Sequence, residues 1–198
     1  MSINGFFIAL RNDRERQYNI LMKRLNAQQL RTTPVSQEEY KQRKKNPITL
    51  VLDNVLDTYN VGAIFRLADA LSVEKVYLCG GTETPPNSKI KKASINTWQW
   101  VEWEYAATAR EAVAKCQMLN AKCQIIAVEQ DARSVPFQKA EYQFPLALVV
   151  GNETYGVSKD VVDMADMIVE LPMWGINKSL NVMVSCGIVL YETMRQKE

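Results

Sequence analysis

Short apolar runs alternate along this chain with segments of helical periodicity, and that alternation restricts the fold more than any other feature. The run 146–150 contains no polar residue, and the run 48–52 contains only Thr49. Strands that are buried on both faces show this continuous pattern, because helices cover both faces of a parallel sheet. The alternation therefore predicts an α/β fold with a parallel sheet covered by helices on both faces.

The other predicted elements follow the same alternation. Further strands are predicted over 75–78, 100–105, 124–128 and 167–171, and helices over 60–71, 108–119, 159–164 and 180–195. The segment 80–96, which contains Pro85-Pro86, is predicted to be a long loop. In the last helix, Ser179 is the expected N-cap, and the stripe facing the core is expected to be Leu180, Val184, Ile188, Tyr191 and Met194.

Polar residues follow three of the predicted strands. The segment 60–66 comes after the first strand, 151–156 comes after the run 146–150, and 172–181 comes after the last strand. Ligands of parallel sheets bind beyond the carboxyl ends of the strands. Chain order alone therefore brings Arg66, Glu153, Ser179 and Asn181 to one edge of the sheet.

Composition excludes several kinds of chemistry. The chain has no histidine, which removes Ser-His-Asp and Cys-His catalysis and most zinc sites, and no metal is expected. The four cysteines, Cys79, Cys116, Cys123 and Cys186, show no C-x-x-C spacing and are expected to be reduced. No apolar run reaches the roughly 18 residues that span a bilayer, and the apolar start is too short for a signal peptide. A cytoplasmic protein without membrane contact is expected.

Positive charge is concentrated at the N-terminus. Residues 1–46 hold 10 Lys/Arg and 4 Asp/Glu, a balance of +6, whereas residues 47–198 have a balance of −4. Helices are predicted over 11–31 and 37–45, so residues 1–46 form a basic helical extension of a domain at 47–198. Two roles remain open for the extension, a phosphate-binding appendage and a solvated amphipathic helix.

Individual residues of the three segments suggest binding of a phosphate and of an adenine. Arg66 offers a planar fork suited to phosphate, although an isolated helical arginine is usually just solvated. Gly62 leaves room for a close approach on the same helix face, and Gly151 with Gly156 indicates a tight turn. The apolar, irregular loop 171–180 suits an adenine pocket. Neither a G-x-G-x-x-G sequence nor a Walker A sequence is present.

Glu153 is the discriminating residue of its segment. A carboxylate at the end of a buried strand needs a partner, and either Arg66 or Asn60 would serve. Asn181 lies off the predicted core stripe, so an exposed amide is its simplest interpretation.

Taken together, the three segments resemble a known family. Residues 60–66 read Asn-Val-Gly-Ala-Ile-Phe-Arg, residues 151–156 read Gly-Asn-Glu-Thr-Tyr-Gly, and residues 179–182 read Ser-Leu-Asn-Val. In this order they resemble the motifs of the SpoU (TrmH-like) branch of the SPOUT RNA methyltransferase superfamily. The resemblance spans residues 48–196.

The resemblance implies an S-adenosylmethionine-dependent RNA ribose 2′-O-methyltransferase, acting on tRNA first and rRNA second. It implies a catalytic set of Arg66, Asn60, Glu153, Ser179 and Asn181, in which Arg66 activates the ribose hydroxyl. It implies that the cofactor is held at Gly151, Leu171, Met173 and Leu180, in a C-terminal trefoil knot, and that the protein is a homodimer.

The chain departs from many members of the family at 93–98, where it reads Ala-Ser-Ile-Asn-Thr-Trp instead of a Ser-x-Gly-Ala-like stretch. This departure bears on which RNA is the substrate. Two other functions remain open, a non-catalytic RNA-binding module on the same fold and a small-molecule transferase. Retention of Arg66, Glu153 and Asn181 disfavours the first, and the basic N-terminal segment disfavours the second.

Overall fold

The structure is a computed structural model and describes residues 42–197. A seven-stranded sheet forms the centre of this part of the chain. The strands are β1 (Asn46–Asp53), β2 (Val73–Cys79), β3 (Trp103–Ala106), β4 (Gln124–Val128), β5 (Val135–Pro136), β6 (Leu146–Val150) and β7 (Met167–Glu170). Their order is β3-β2-β1-β6-β4-β7-β5, and every neighbouring pair is parallel. The predicted parallel sheet is confirmed.

Helices cover both faces of this sheet. They are α1 (Thr58–Ala70), α2 (Ser88–Ser94), α3 (Ala109–Leu119), α4 (Lys159–Met164) and α5 (Val182–Lys197), with short 3-10 turns at Thr97–Gln99 and Phe137–Lys139. The buried residues of α3 and α4 form one cluster with alternate residues of the central strands, such as Val51 and Val149. The helices α1, α2 and α5 contribute buried residues outside that cluster, and α1 packs against both α2 and α5.

The strand at the sheet edge begins later than predicted. Residues 100–102 were expected to be extended, but β3 begins at Trp103. The amides of Trp100 and Val101 instead bond to the Thr97 carbonyl, at 3.2 and 3.0 Å. The Trp100 Nε1 donates to Asp69 Oδ1 of α1 at 2.7 Å, so this aromatic side chain is fixed against a helix.

The expected loop at 80–96 is wrong in part, because it contains α2. Asn87 caps this helix, its Oδ1 accepting from the amides of Lys89 and Ile90 at 2.9 and 3.3 Å. Ile90 is fully buried against the rest of the domain. A seven-residue helix with so short an apolar pattern gives little periodicity to detect, and its tertiary contact decides its conformation.

The prediction for the last helix is wrong at its start and in its buried face. α5 begins at Val182, and its cap is Asn181 rather than Ser179, since Asn181 Oδ1 accepts from the amides of Met183 and Val184 at 2.9 and 3.3 Å. The residues that face the core are Cys186, Val189, Leu190 and Thr193. Members of the predicted stripe are exposed instead, at 44% for Leu180, 38% for Val184 and 58% for Tyr191. This helix is apolar around most of its circumference, so spacing alone could not choose the face.

The remaining expectations concern the N-terminal helices, the cysteines and the membrane. The helices predicted over 11–31 and 37–45 lie outside the described residues, apart from the last few positions of the second. All four cysteines are buried and free. In the described part of the chain, no helix has the length and apolar character needed to cross a bilayer.

Candidate active site

Three polar side chains, each from a different sequence motif, form a hydrogen-bonded chain at the carboxyl edge of the sheet. Asn181 Nδ2 donates to Asn60 Oδ1 at 3.0 Å, and Asn60 Nδ2 donates to Glu153 Oε1 at 3.0 Å. The first bond joins residues 121 positions apart and the second joins residues 93 apart. Asn181 is therefore not a free exposed amide, and the partner of Glu153 is Asn60 and not Arg66.

Glu153 also holds the loop between β1 and α1. Its Oε2 accepts from the Leu56 amide at 3.1 Å and its Oε1 accepts from the Asp57 amide at 3.0 Å. The side chain is exposed, although both its oxygens accept hydrogen bonds. Partial desolvation alone would raise the pKa of Glu153, but the hydrogen bonds from Asn60 and the two amides outweigh it and lower the pKa below its usual value.

The turn after β6 is built so closely that it requires its two glycines. A Cβ atom on Gly151 would lie 2.1 Å from the Gly156 carbonyl carbon and 2.2 Å from the Val157 nitrogen. Gly156 has φ +69°, and a Cβ there would lie 2.0 Å from Glu129 Oε2, which accepts from the Val157 amide at 2.7 Å. The predicted tight turn is present, and the atoms that approach the glycines belong to the protein itself.

A pocket of about 370 Å³, here called the strand-end pocket, opens beside this turn. It lies at the ends of β4, β6 and β7, and its walls include all four residues expected to hold the cofactor, namely Gly151, Leu171, Met173 and Leu180. Glu153 and Ser179 from the expected catalytic set also line it. Gln130 and Lys178 also line the pocket, and Gln130 Nε2 donates to the Lys178 carbonyl, which connects the segment after β4 to the loop after β7.

The donor set of this pocket fits S-adenosylmethionine (AdoMet). Its volume lies in the usual range for small-molecule sites, and Val128, Val150 and Val169 give it an apolar floor. Glu170 is half-buried in its wall, and its carboxylate makes no hydrogen bond or ion pair with another residue of 42–197. A carboxylate so placed suits the cationic groups or the ribose hydroxyls of this cofactor.

Arg66 is the one expected catalytic residue that stands apart. It is exposed on α1, outside the strand-end pocket, and its guanidinium makes no hydrogen bond or ion pair within residues 42–197. The structure therefore brings together Asn60, Glu153 and Asn181, adds Ser179 at the pocket wall, and leaves Arg66 facing solvent.

Gly62, in the same motif as Arg66, is a packing residue. A Cβ atom on Gly62 would lie 2.6 Å from the Ala93 Cβ and 2.8 Å from the Ile90 carbonyl oxygen. The room that this glycine leaves is thus taken by α2, not by a ligand. Its absence of a side chain allows α1 and α2 to approach closely.

Sequence reasoning missed the contribution of β4. Val128, Glu129 and Gln130 line the strand-end pocket, and Glu129 also shapes the glycine turn. The available signal was that these residues follow a predicted buried strand, as the three recognised segments do. The described residues contain no cluster of three or more His, Cys, Asp or Glu side chains arranged to hold a metal.

A family-level comparison agrees with this geometry. The sequence model of the SpoU rRNA Methylase family matches residues 47–191. The chain belongs to this family. The SpoU resemblance drawn from the three motifs is confirmed, and the matched range contains every residue of the candidate site.

Similar proteins point the same way. A tRNA (guanosine(18)-2′-O)-methyltransferase of Aquifex aeolicus is 35% identical over 186 residues, which is 92% of this chain and 81% of the relative. A protein of the same description from Thermus thermophilus is 30% identical over 160 residues, covering 81% of this chain and 80% of the relative.

Solved structures of the family share the fold. The A. aeolicus TrmH/SpoU tRNA modifying enzyme superimposes with a TM-score of 0.71 at 32% identity, covering 81% of this chain and 80% of that one. An AdoMet-bound rRNA methyltransferase of Sinorhizobium meliloti gives 0.70 at 29% identity, covering 77% of this chain and 57% of that one. These similarities confirm the expected activity, which is RNA ribose 2′-O-methyl transfer, and the expected cofactor, which is AdoMet.

Proposed function

We propose that this chain transfers a methyl group from AdoMet to a ribose 2′-hydroxyl of tRNA. The observation that carries this proposal is the set of hydrogen bonds Asn181–Asn60–Glu153, which joins three separate motifs and reaches the wall of the strand-end pocket at Glu153. The names of the relatives from A. aeolicus and T. thermophilus support tRNA over rRNA.

Gly151, Leu171, Met173, Leu180 and Glu170 would hold the cofactor. Bound there, AdoMet supplies a methyl group on a sulfonium, which needs little further activation. The catalytic requirement on the protein is then to place the hydroxyl oxygen, so positioning carries most of the rate. This requirement is compatible with a site that has no histidine.

Arg66 would act on the RNA side of the reaction. Its guanidinium stays protonated at neutral pH, so it serves as a fixed positive charge and not as a general base. It would hold the phosphate beside the target ribose and stabilise negative charge on the 2′-oxygen as the hydroxyl proton leaves to water or to the substrate. An exposed guanidinium without a partner in 42–197 is available for that contact.

Asn60, Glu153 and Asn181 would position the pocket wall. Asn181 caps α5 while it bonds Asn60, and Glu153 fixes the loop at 56–57, so the three segments are connected to one another. Ser179, exposed at the pocket wall, would offer a hydroxyl to the reacting groups.

The homodimer is also a proposal, and the exposed face of α5 supports it. Leu180, Val184 and Tyr191 are substantially exposed on one side, beside half-buried Ile188 and Met194. An apolar stripe on a monomer surface marks an interface. Sedimentation at micromolar concentration should give a dimer, and Val184→Glu with Tyr191→Glu should give the 22.6 kDa monomer. A wild-type monomer would contradict the proposal.

Three further expectations remain proposals. A C-terminal trefoil knot is supported by the segment 171–181, which runs from the end of β7 to α5 beside α1 and is tied by Gln130 to the segment after β4. Residues 1–46 are proposed as a basic RNA-binding extension of a domain at 47–198, on charge alone. A cytoplasmic location is proposed from the four free cysteines.

Nucleoside mass spectrometry tests the function in cells. Bulk tRNA from cells with and without the gene is digested, and 2′-O-methylated nucleosides are quantified. One such nucleoside should disappear without the gene, return with the wild-type gene, and stay absent with an Arg66→Ala gene. A non-catalytic RNA-binding module predicts no change in any of the three samples.

A further inference from the structure

A second pocket, of about 380 Å³, lies between the start of α1 and the segment that leads into α2, and it is called the helix-start pocket. Its walls include Leu56, Asp57, Tyr59, Glu83, Asn87 and Lys89. It shares no lining residue with the strand-end pocket. The function proposed above assigns no role to it.

The two sides of the helix-start pocket are held in a fixed relation. The Val55 amide donates to Thr82 Oγ1 at 2.9 Å, and the Gly81 amide donates to Asn54 Oδ1 at 2.9 Å, so the loop after β2 is tied to the loop after β1. Farther along, Gly62 allows α2 to pack closely on α1. The cavity is therefore formed before any ligand arrives.

The helix-start pocket adjoins the candidate active site through one backbone segment. The amides of Leu56 and Asp57 bond to the Glu153 carboxylate, and Glu153 lines the strand-end pocket. The same two residues form the wall of the helix-start pocket. A ligand that reaches from one pocket to the other has to cross only this segment.

Several side-chain groups that line the helix-start pocket are available to bind a nucleobase. Tyr59 is half exposed, so a ring face is available for stacking. The Glu83 carboxylate and the Asn87 Nδ2 make no hydrogen bond within residues 42–197. Asn87 accepts from α2 amides there, through its Oδ1 and its backbone carbonyl, and its Nδ2 stays available. Single-stranded RNA bases are bound in this way, by stacking on aromatic rings and by hydrogen bonds along their Watson–Crick edges.

The names of the relatives from A. aeolicus and T. thermophilus give guanosine as their target. We propose that in this chain the helix-start pocket holds the base of the nucleotide whose ribose is methylated, and that Tyr59 and Glu83 are the residues that select guanine. This inference rests on the proposed function. Tyr59 stacks on the base, and Glu83 accepts from its Watson–Crick edge. The ribose, one glycosidic bond away, is then directed toward the segment 56–57 and the Asn181–Asn60–Glu153 chain.

Charge explains why a base and not a phosphate enters. Asp57 and Glu83 would repel a phosphate inside the pocket, whereas Lys89 at its wall and Lys91 and Lys92 farther along α2 are exposed and can pair with phosphates outside it. Guanine carries two adjacent donors, N1–H and the 2-amino group, which match the two oxygens of one carboxylate. Adenine offers no such pair, so a carboxylate favours guanine.

The test compares guanosine with inosine, which lacks only the 2-amino group. Once the methylated position is mapped, tRNA transcripts carrying G or I at that position are compared by kcat/KM with wild type and Glu83→Gln. Wild type should favour G by about 10-fold, and Glu83→Gln should lose that preference. Tyr59→Leu should lower kcat/KM by about 10- to 100-fold, and Tyr59→Phe should restore it.

The matched control is Glu141→Gln, an exposed carboxylate beside the start of β4 at the opposite edge of the sheet, which should behave as wild type. AdoMet affinity should be the same in all these variants. The guanine assignment is overturned if the mapped nucleotide is not guanosine or if wild type uses G and I equally. The base pocket itself is overturned if Tyr59→Leu stays within about threefold of wild type.

A binding experiment on the full chain separates this inference from the proposed function. Millimolar 5′-GMP should shift the NMR signals of Leu56, Tyr59 and Asn87, 5′-AMP should shift them less, and Glu83→Gln should abolish the difference. This result without methyl transfer to any RNA would retain the pocket and refute the function. Methyl transfer with no such shifts would retain the function and refute the pocket.

Discussion

The two pockets of this domain are built in opposite ways. The strand-end pocket draws on four separate stretches of chain, at 128–130, 150–156, 169–173 and 178–185. The helix-start pocket needs only two, at 56–59 and 83–89. The first has an apolar floor and a turn that only glycines permit, whereas the second is lined mostly by exposed polar side chains such as Glu83 and Lys89. The difference fits a constant cofactor on one side and a variable RNA on the other.

The largest expected effect is the loss of methyl transfer when Arg66 is replaced, and it should affect the RNA side but not the cofactor side. Arg66→Ala should lower single-turnover methyl transfer by about 10²–10³-fold, because a positioned charge is lost, and should leave AdoMet affinity unchanged. Arg66→Lys should rescue poorly, since a point charge cannot replace the guanidinium fork. Arg110→Ala, which removes an exposed arginine from α3, is the control. A rate for Arg66→Ala within threefold of wild type would remove Arg66 from the catalytic set.

The next effect tests the rigidity of the strand-end pocket. In Gly151→Ala the new Cβ meets backbone atoms at 2.1–2.3 Å, which cannot rotate away. We expect a loss of stability of about 1–3 kcal/mol and a weaker AdoMet affinity by about 10-fold or more, measured by thermal unfolding and calorimetry. Gly175→Ala, where a Cβ meets nothing within 4 Å, is the control for stability. Equal stabilities of the two variants would contradict the account of the turn.

A smaller effect is expected on the RNA side at Gly62. Gly62→Ala pushes against Ala93 and the Ile90 carbonyl and should displace α2 from α1. The KM for tRNA should rise several-fold, and AdoMet affinity should change by less than about twofold, because the strand-end pocket is formed elsewhere. If cofactor affinity falls as much as RNA affinity, the two regions are not independent.

The smallest effect is a pH dependence at the junction of the two regions. The pKa of Glu153 is lowered in the folded protein, so its ionised form stabilises the fold above its ordinary pKa near 4.5, and this contribution is lost as pH falls below that value. Denaturant unfolding of wild type and Glu153→Gln should show a difference in stability at pH 7 that shrinks toward pH 3. A difference that is constant with pH would contradict the hydrogen-bonding account of Glu153.

The sequence predicted the buried central strands better than the edges of the sheet, where β3 begins later than predicted and the two-residue strand β5 was not predicted. β4 and β6 have the predicted bounds because almost all their residues are buried. A strand that is buried along its whole length appears in the sequence as a continuous apolar run, so its ends can be read from the sequence. α2 was missed because seven residues give too little periodicity, and its place depends on the glycine at position 62. The buried face of α5 was misassigned because both of its sides are apolar.

The sequence predicted the residues of the candidate site but only narrowed its bonds, offering Asn60 or Arg66 as the partner of Glu153. The motifs gave Asn60, Glu153 and Asn181, yet which of them bond depends on contacts across about a hundred residues, which no local pattern records. The same limit hid Glu129, whose carboxylate shapes the turn at Gly156. Asn181 combines a local and a distant contact, because its side chain both caps α5 and bonds Asn60. The sequence pattern around Asn181 can indicate the cap but not the bond to Asn60.

The most direct measurement of the central claim is the chemical position of the transferred methyl group. Purified chain is incubated with unmodified tRNA transcript and methyl-labelled AdoMet, and the RNA is hydrolysed in alkali, which cannot cleave next to a 2′-O-methylated ribose. The account predicts that the label is recovered in a single alkali-stable dinucleotide. Label in mononucleotides, which would place the methyl group on a base, or no label in tRNA, would contradict it.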